Sequence, residues 1–95
     1  MAILARYTKQ PHEVLDYPVD FTDWFEGRTG ETIASYTVTA AAGIDIESHR
    51  QEGFVVIVLL GGGTTGTSYK ITVQITTAVD ALVKEVEFVV KVKET

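Results

Sequence analysis

Polar and apolar positions along this chain fall into short runs with a period of two. From Thr67 to Thr77 the alternation is unbroken, with Tyr69, Ile71, Val73 and Ile75 on one side and Lys70, Thr72, Gln74 and Thr76 on the other. Successive side chains of a strand point to opposite faces, so the run predicts a strand with one buried and one wetted face. A helix would scatter those four apolar residues around its circumference. After Ala78-Val79-Asp80-Ala81 the pattern resumes: Val86, Phe88, Val90 and Val92 oppose Glu85, Glu87, Lys91 and Lys93, with only Val89 out of step. The stretch from Gly61 to Lys93 thus reads as two long strands on one side of a β-sandwich.

The rest of the chain carries the same signal in shorter pieces. Val14 to Phe21 predicts a strand with Tyr17, Val19 and Phe21 inward, and Pro18 favours an edge or a bulge because proline cannot donate to a ladder. Thr22 to Gly27 predicts one helical turn, with Asp23 as its cap, Glu26 three residues on and Gly27 as the left-handed stop. Trp24 and Phe25 would then plug one open end of the sandwich or anchor a partner. Thr32 to Ala40 is strand-like with Ala34, Tyr36 and Val38 inward, and Ile44 to Glu47 is a short strand followed by a polar loop, Ser48 to Gly53. Phe54 to Leu60 is apolar on both faces. That fits a central strand, or one whose outer residues Val55, Ile57 and Leu59 meet another subunit. Residues 1–13 have no strong period and read as a frayed terminus or an arm, with Ile3, Leu4 and Tyr7 docking on a neighbouring subunit. Deleting residues 1–10 is accordingly expected to spare the fold. Six strands and glycine-containing turns predict an all-β chain: a single-domain Ig-like β-sandwich over residues 14–95, a helical turn near residues 22–26 and an N-terminal arm over residues 1–13. Tyr69, after Gly66-Thr67-Ser68, matches the tyrosine corner of immunoglobulin-like domains, although no cysteine pair accompanies it.

Composition narrows the function classes. The chain of 95 residues is 45% hydrophobic and 22% charged, enough apolar content for one core. Its formal charge is −5 and its eight Lys and Arg form no cluster, which argues against nucleic acid and anionic membrane as partners. It has no cysteine, hence no disulfide framework and no thiolate chemistry, which is compatible with a reducing cytoplasm. No apolar run approaches the roughly 20 residues of a membrane helix. The first residues lack the charge order of a secretory signal.

Candidate chemistry is sparse. Gly61-Gly62-Gly63-Thr64-Thr65-Gly66 satisfies G-x-G-x-x-G, but a strand pattern follows where a helix N-terminus would have to supply amides, so a hairpin loop is expected. His12 and His49 are not spaced as a metal motif. Asp16, Asp20, Asp23 and Glu26 lack the calcium-loop arrangement. Asp45 and Glu47 read as a solvated strand face, and Ser35, Ser48 and Ser68 have no nucleophile-elbow context. No catalysis, metal or cofactor is expected. Surface apolar residues in a small acidic β-domain favour a protein that holds other proteins.

Three segments carry a resemblance: Val14-Leu15-Asp16-Tyr17-Pro18-Val19-Asp20-Phe21-Thr22-Asp23-Trp24-Phe25, then Gly30-Glu31-Thr32-Ile33-Ala34-Ser35, then Gly61 to Val73. In this order they resemble the small virion proteins of tailed bacteriophages described as fiber-tail adaptors. The similarity spans roughly residues 9–93, with Lys9-Gln10-Pro11 where Lys-Asp-Pro is expected and an additional Gly62-Gly63 in the turn. The resemblance implies a non-enzymatic virion protein at the head-tail or tail-fiber junction, assembled in the host cytoplasm. Its partners would be tail adaptor, tail fiber or capsid subunits and copies of itself in a symmetric assembly. A capsid decoration protein of the same fold and an Ig-like adhesion or carbohydrate-binding module are the alternatives.

Overall fold

The computed structural model describes residues 3–94, and side chains from residue 5 onward. Among the described residues the chain forms β1 (Ile3–Lys9), β2 (Leu15–Asp20), α1 (Thr22–Phe25), β3 (Ile33–Ala40), β4 (Ile44–Glu52), β5 (Val55–Gly62), β6 (Ser68–Thr77) and β7 (Val83–Val92). One sheet has the order β1-β7-β6-β3 and the other β2-β5-β4. The neighbouring pairs are antiparallel except β1 and β7, which run parallel. The period of two is obeyed where it was clearest. Tyr69, Ile71, Val73 and Ile75 of β6 and Phe88, Val90 and Val92 of β7 are buried, facing Tyr17 and Val19 of β2 and Val56, Val58 and Leu60 of β5 across one core. Each such side chain contributes about 1.5–3 kcal/mol on leaving water. Pro18 lies in edge strand β2, where its missing donor costs no interior ladder bond.

Four expectations are corrected. Residues 3–9, expected as an arm, form a strand of the chain's own sheet, with Tyr7 opposite Val90 and Lys9 opposite Val92. The apolar edge of β7 needed a cover, and the arm supplies it. Ser48 to Glu52, expected as a loop, extends β4 along β5, and the chain reverses only at Gly53-Phe54. Gly53 has φ 61 and Phe54 is not left-handed, the pattern of a type II′ hairpin, which accepts polar strand residues before it. The glycine run from Gly61 is not a hairpin, because it carries the chain from β5 in one sheet to β6 in the other. Gly63 at that crossover has φ 96, and a Cβ there would collide with Val92. Finally, Ala34 is exposed, because a register shift between Ile33 and Ser35 turns it away from the core.

The helical turn forms, but Phe21 and not Asp23 is its N-cap residue, and no side chain caps it. The Asp20 carboxylate, two residues before Thr22, accepts both the Thr22 amide and the Thr22 hydroxyl, while Asp23 sits in the first turn. Those two bonds hold the Asp20 carboxyl below its ordinary range. Gly27 supplies the expected left-handed stop at φ 81.

Polar groups then decide how the two sheets meet. Lys9 is fully buried, and its ammonium donates to the carbonyl of Gly62 at 2.6 Å, of Gln10 at 2.8 Å and, more loosely, of Pro11 at 3.4 Å. Three donors meet three acceptors, which is what an ammonium requires once water is excluded. Because Lys9 belongs to β1 and Gly62 to β5, the contact joins one sheet to the other. At the same end Tyr69 accepts the Thr64 amide at 2.8 Å, the backward reach expected of that tyrosine. This bond from Thr64 draws its phenol below the ordinary value. At the opposite end Glu31 is buried and accepts the Thr77 hydroxyl (3.0 Å) and the amides of Val79 (2.8 Å) and Asp80 (3.0 Å). Burial pushes the Glu31 carboxyl up, and these donors outweigh it, leaving it below its ordinary value. Tyr17 is the opposite case: its hydroxyl is buried without a partner among the described residues. Burial first, and then the nearby Glu13 carboxylate, push that phenol up to about 12.

Five variants test these contacts. Lys9→Met leaves buried carbonyls unpaired and should destabilise by about 1–3 kcal/mol in urea unfolding. Deletion of residues 1–10 should cost more, because it also removes β1. Tyr69→Phe should lower the thermal midpoint by a few degrees, whereas Tyr17→Phe, which removes a stranded hydroxyl, should leave it unchanged or raise it. The raised Tyr17 pKa means that its contribution is intact below its ordinary 10.0 and lost as pH rises toward about 12, so Tyr17→Phe should flatten alkaline unfolding. The depressed Glu31 carboxyl has the reverse sign. Its stabilisation is full above its ordinary 4.5 and lost as pH falls through its lower folded value. Glu31→Gln should therefore be less stable at neutral pH and show a shallower acid transition by circular dichroism.

Candidate docking surface

The two outer faces differ in character. On the four-stranded sheet, outward residues of β3, β6 and β7 are mostly Thr, Gln, Glu and Lys, and Lys70 pairs with Glu87 at 3.5 Å. A shallow hollow of about 220 Å³ on this face is lined by Thr37, Thr39, Thr72, Gln74 and Glu85. All five lining residues are polar. A second hollow, about 420 Å³, lies at the β1–β2 turn between Gln10, Pro11, His12, Glu13, Thr65 and Glu94. There Glu13 already accepts the Gln10 amide at 2.7 Å. Among the described residues no cluster of His, Asp or Glu could hold a metal ion.

The three-stranded sheet presents an apolar row. Val56, Val58 and Leu60 of β5 enter the core, so Val55, Ile57 and Leu59 face outward and are half-buried. The register places Asp20, Pro18 and Asp16 of β2 beside them on one flank and Glu52, Arg50 and Ser48 of β4 on the other. Arg50 is paired with Glu52. A ridge of three aliphatic side chains therefore runs up the middle of the face between an acidic border and a mixed one.

The expected interface residues do not all gather on this surface. Tyr7 is half-buried against Tyr17 and Phe88, with ring centroids 4.9 and 5.8 Å away, and so belongs to the core of its own chain. Phe25 is buried and stacks on Phe54 at 4.3 Å, closing one end of the sandwich. Trp24 leans edge-on against Phe25 and carries the Arg28 guanidinium 4.4 Å from its ring, which leaves it half-buried. The side chains of Ile3 and Leu4 lie outside the described residues. Val55, Ile57 and Leu59 remain together as one patch.

A second apolar feature escaped the sequence reading. The β6–β7 connection exposes Val79 by 70% and Val83 by 60%, with Leu82 beside them. Its backbone is held from below, because Glu31 takes the Val79 and Asp80 amides and Thr77 takes that of Leu82. Ala81 adopts φ 53, a left-handed conformation rare for a residue with a Cβ. The signal was present as Val79, Leu82 and Val83 next to a turn, but the acid that fixes the loop lies 46 residues upstream of its first partner. Local pattern does not connect residues that far apart.

The geometry is that of a small two-sheet sandwich with apolar patches on its surface. Comparison with curated proteins gives no match. A family model described as Gp77, podophage GP4 fiber-tail adaptor protein gp77, matches residues 9–91, from the buried Lys9 through all but the end of β7. The match covers most of the chain and agrees with the segments that carried the resemblance, and the protein belongs to this family of podophage fiber-tail adaptors.

Proposed function

We propose that this adaptor is a non-enzymatic virion component that joins the tail to the fiber through the outer face of the β2-β5-β4 sheet. The single observation behind this is the row Val55, Ile57 and Leu59, three aliphatic side chains kept partly in water on a central strand. Rows of this kind mark contact surfaces on small soluble domains. The flanking Asp16 and Asp20, in a chain of net charge −5, select the occupant: a segment of the tail fiber protein with an apolar strip and basic neighbours. The rigid tip at Val79, Leu82 and Val83 would be a second point of contact, its ordering cost already met within the fold. Assembly in the host cytoplasm agrees with a chain that has no cysteine to oxidise.

An Ig-like form of sandwich belongs to the same proposal. In support, β2-β5-β4 and β3-β6-β7 reproduce the strand neighbours of the two immunoglobulin sheets, with β1 added in parallel to the last strand. Tyr69 at the start of β6, bonded back to Thr64, supports it as well.

Ile57→Glu should leave the circular dichroism spectrum and melting behaviour near wild type, since Ile57 lies outside the core. It should lower incorporation into virions by at least tenfold in a complementation assay. Cryo-electron microscopy of the particle is the direct test. Density for this chain at the fiber attachment, with β5 against a neighbour, is expected, and density on the head shell would overturn the reading.

A further inference from the structure

Each sheet leaves two strands at its borders, and three of these four edges carry devices that discourage pairing. Strand β2 has Pro18 between Asp16 and Asp20. Strand β4 has Glu47, Arg50 and Glu52, with a register shift between Ile46 and Ser48. Strand β1 carries Arg6 and a register shift between Ile3 and Arg6. Strand β3 has a register shift only at its start, between Ile33 and Ser35; beyond it the edge is regular, and from Thr32 to Ile44 there is neither a charged residue nor a proline.

The phase of the β3 edge follows from one bond. The Ala41 amide donates to the Lys70 carbonyl at 3.0 Å, and Thr39 and Thr37 follow in the same register opposite Thr72 and Gln74. In an antiparallel ladder alternate residues bond to the same neighbour, so Thr37 and Thr39 turn their backbone groups toward β6. Tyr36, Val38 and Ala40 then turn theirs away from it, to the open side. Their side chains face inward, with Tyr36 held by His49 of β4 at 2.8 Å, so this stretch of edge is straight and anchored.

We propose that β3 pairs with β3 of a second copy of this chain, antiparallel about a two-fold axis at Val38. This register uses every open group. Tyr36 lies opposite Ala40 of the other copy, Val38 opposite Val38, and Ala40 opposite Tyr36, and the three pairs exchange about six backbone bonds. Large meets small at two pairs and equal meets equal at the third. On the wetted face Thr37 stands across from Thr39 of the other copy, a favourable cross-strand pair. A second copy is favoured over a foreign strand because the edge is self-complementary in length, phase and side chains. It is also the one uncharged border of a chain whose net charge of −5 repels its own kind elsewhere. The inference concerns the free protein and does not depend on where the adaptor sits in a particle.

The chain has no cysteine, so introduced thiols report without background. Opposed residues without backbone bonds between them have Cα atoms about 4.5 Å apart, inside the range a disulfide spans. The Thr37→Cys and Thr39→Cys variants, mixed and oxidised, should give a covalent dimer on a non-reducing gel, while each alone should remain mostly monomeric. Thr37→Cys crosslinking with itself would move the axis and overturn this register. No crosslink in the mixture would overturn the pairing. Sedimentation of the unmodified protein guards against misfolded variants. Wild type should shift from monomer to dimer with concentration, more readily in high salt, and the T37K/T39K double variant should stay monomeric with an unchanged spectrum. A wild type that remains monomeric across the series would sink the proposal.

Discussion

The two sheets share one aliphatic core, and a buried ammonium adds a directional contact that ties one sheet to the other. Lys9 ends β1 in one sheet and donates to the Gly62 carbonyl at the end of β5 in the other. Taking an ammonium out of water is unfavourable unless its hydrogens find acceptors, so the contact tolerates only an arrangement that brings all three carbonyls within reach. Apolar packing is less exacting, since side chains of similar volume can substitute for one another. The lysine therefore sets the registry of β1, and β1 in turn covers the flank of β7 and brings Tyr7 onto Tyr17 and Phe88.

The same reasoning explains the two ends of the sandwich. At one, Tyr69 bonds back to Thr64 and packs close to Gly43 and Gly63, where a Cβ would crowd its ring. At the other, Glu31 organises the β6–β7 tip, and Phe25 stacks on Phe54 below the helical turn. The exposed apolar groups at Val79 and Val83 therefore sit beside a loop whose amides are tied to a residue far upstream. A tip of that kind loses little further freedom when it meets a partner.

The outside of the molecule is uneven. The four-stranded sheet is polar, the three-stranded sheet has an aliphatic ridge with acids beside it, and one border is bare of charge. An adaptor in a symmetric particle has to meet unlike neighbours through faces and can meet like ones through edges. This distribution of surfaces suits that division. The family match points the same way.

Alternation alone determined the long strands: the faces of β6 and β7, the inward Tyr17, Val19 and Phe21, and the doubly apolar β5 were all legible, because period two is a local property. The outward row Val55, Ile57 and Leu59 was legible for the same reason. What tertiary structure decided was where weakly patterned or polar residues go. The N-terminal residues became β1 because the flank of β7 needed a cover, and Lys9 went inward because Gly62 offered a carbonyl there. Ser48 to Glu52 became strand because β5 continued beside them, and Glu31 left the surface for the Thr77 hydroxyl and two loop amides 46 to 49 residues away. Each choice depends on a partner far along the chain, and one-dimensional periodicity holds no information about such a partner.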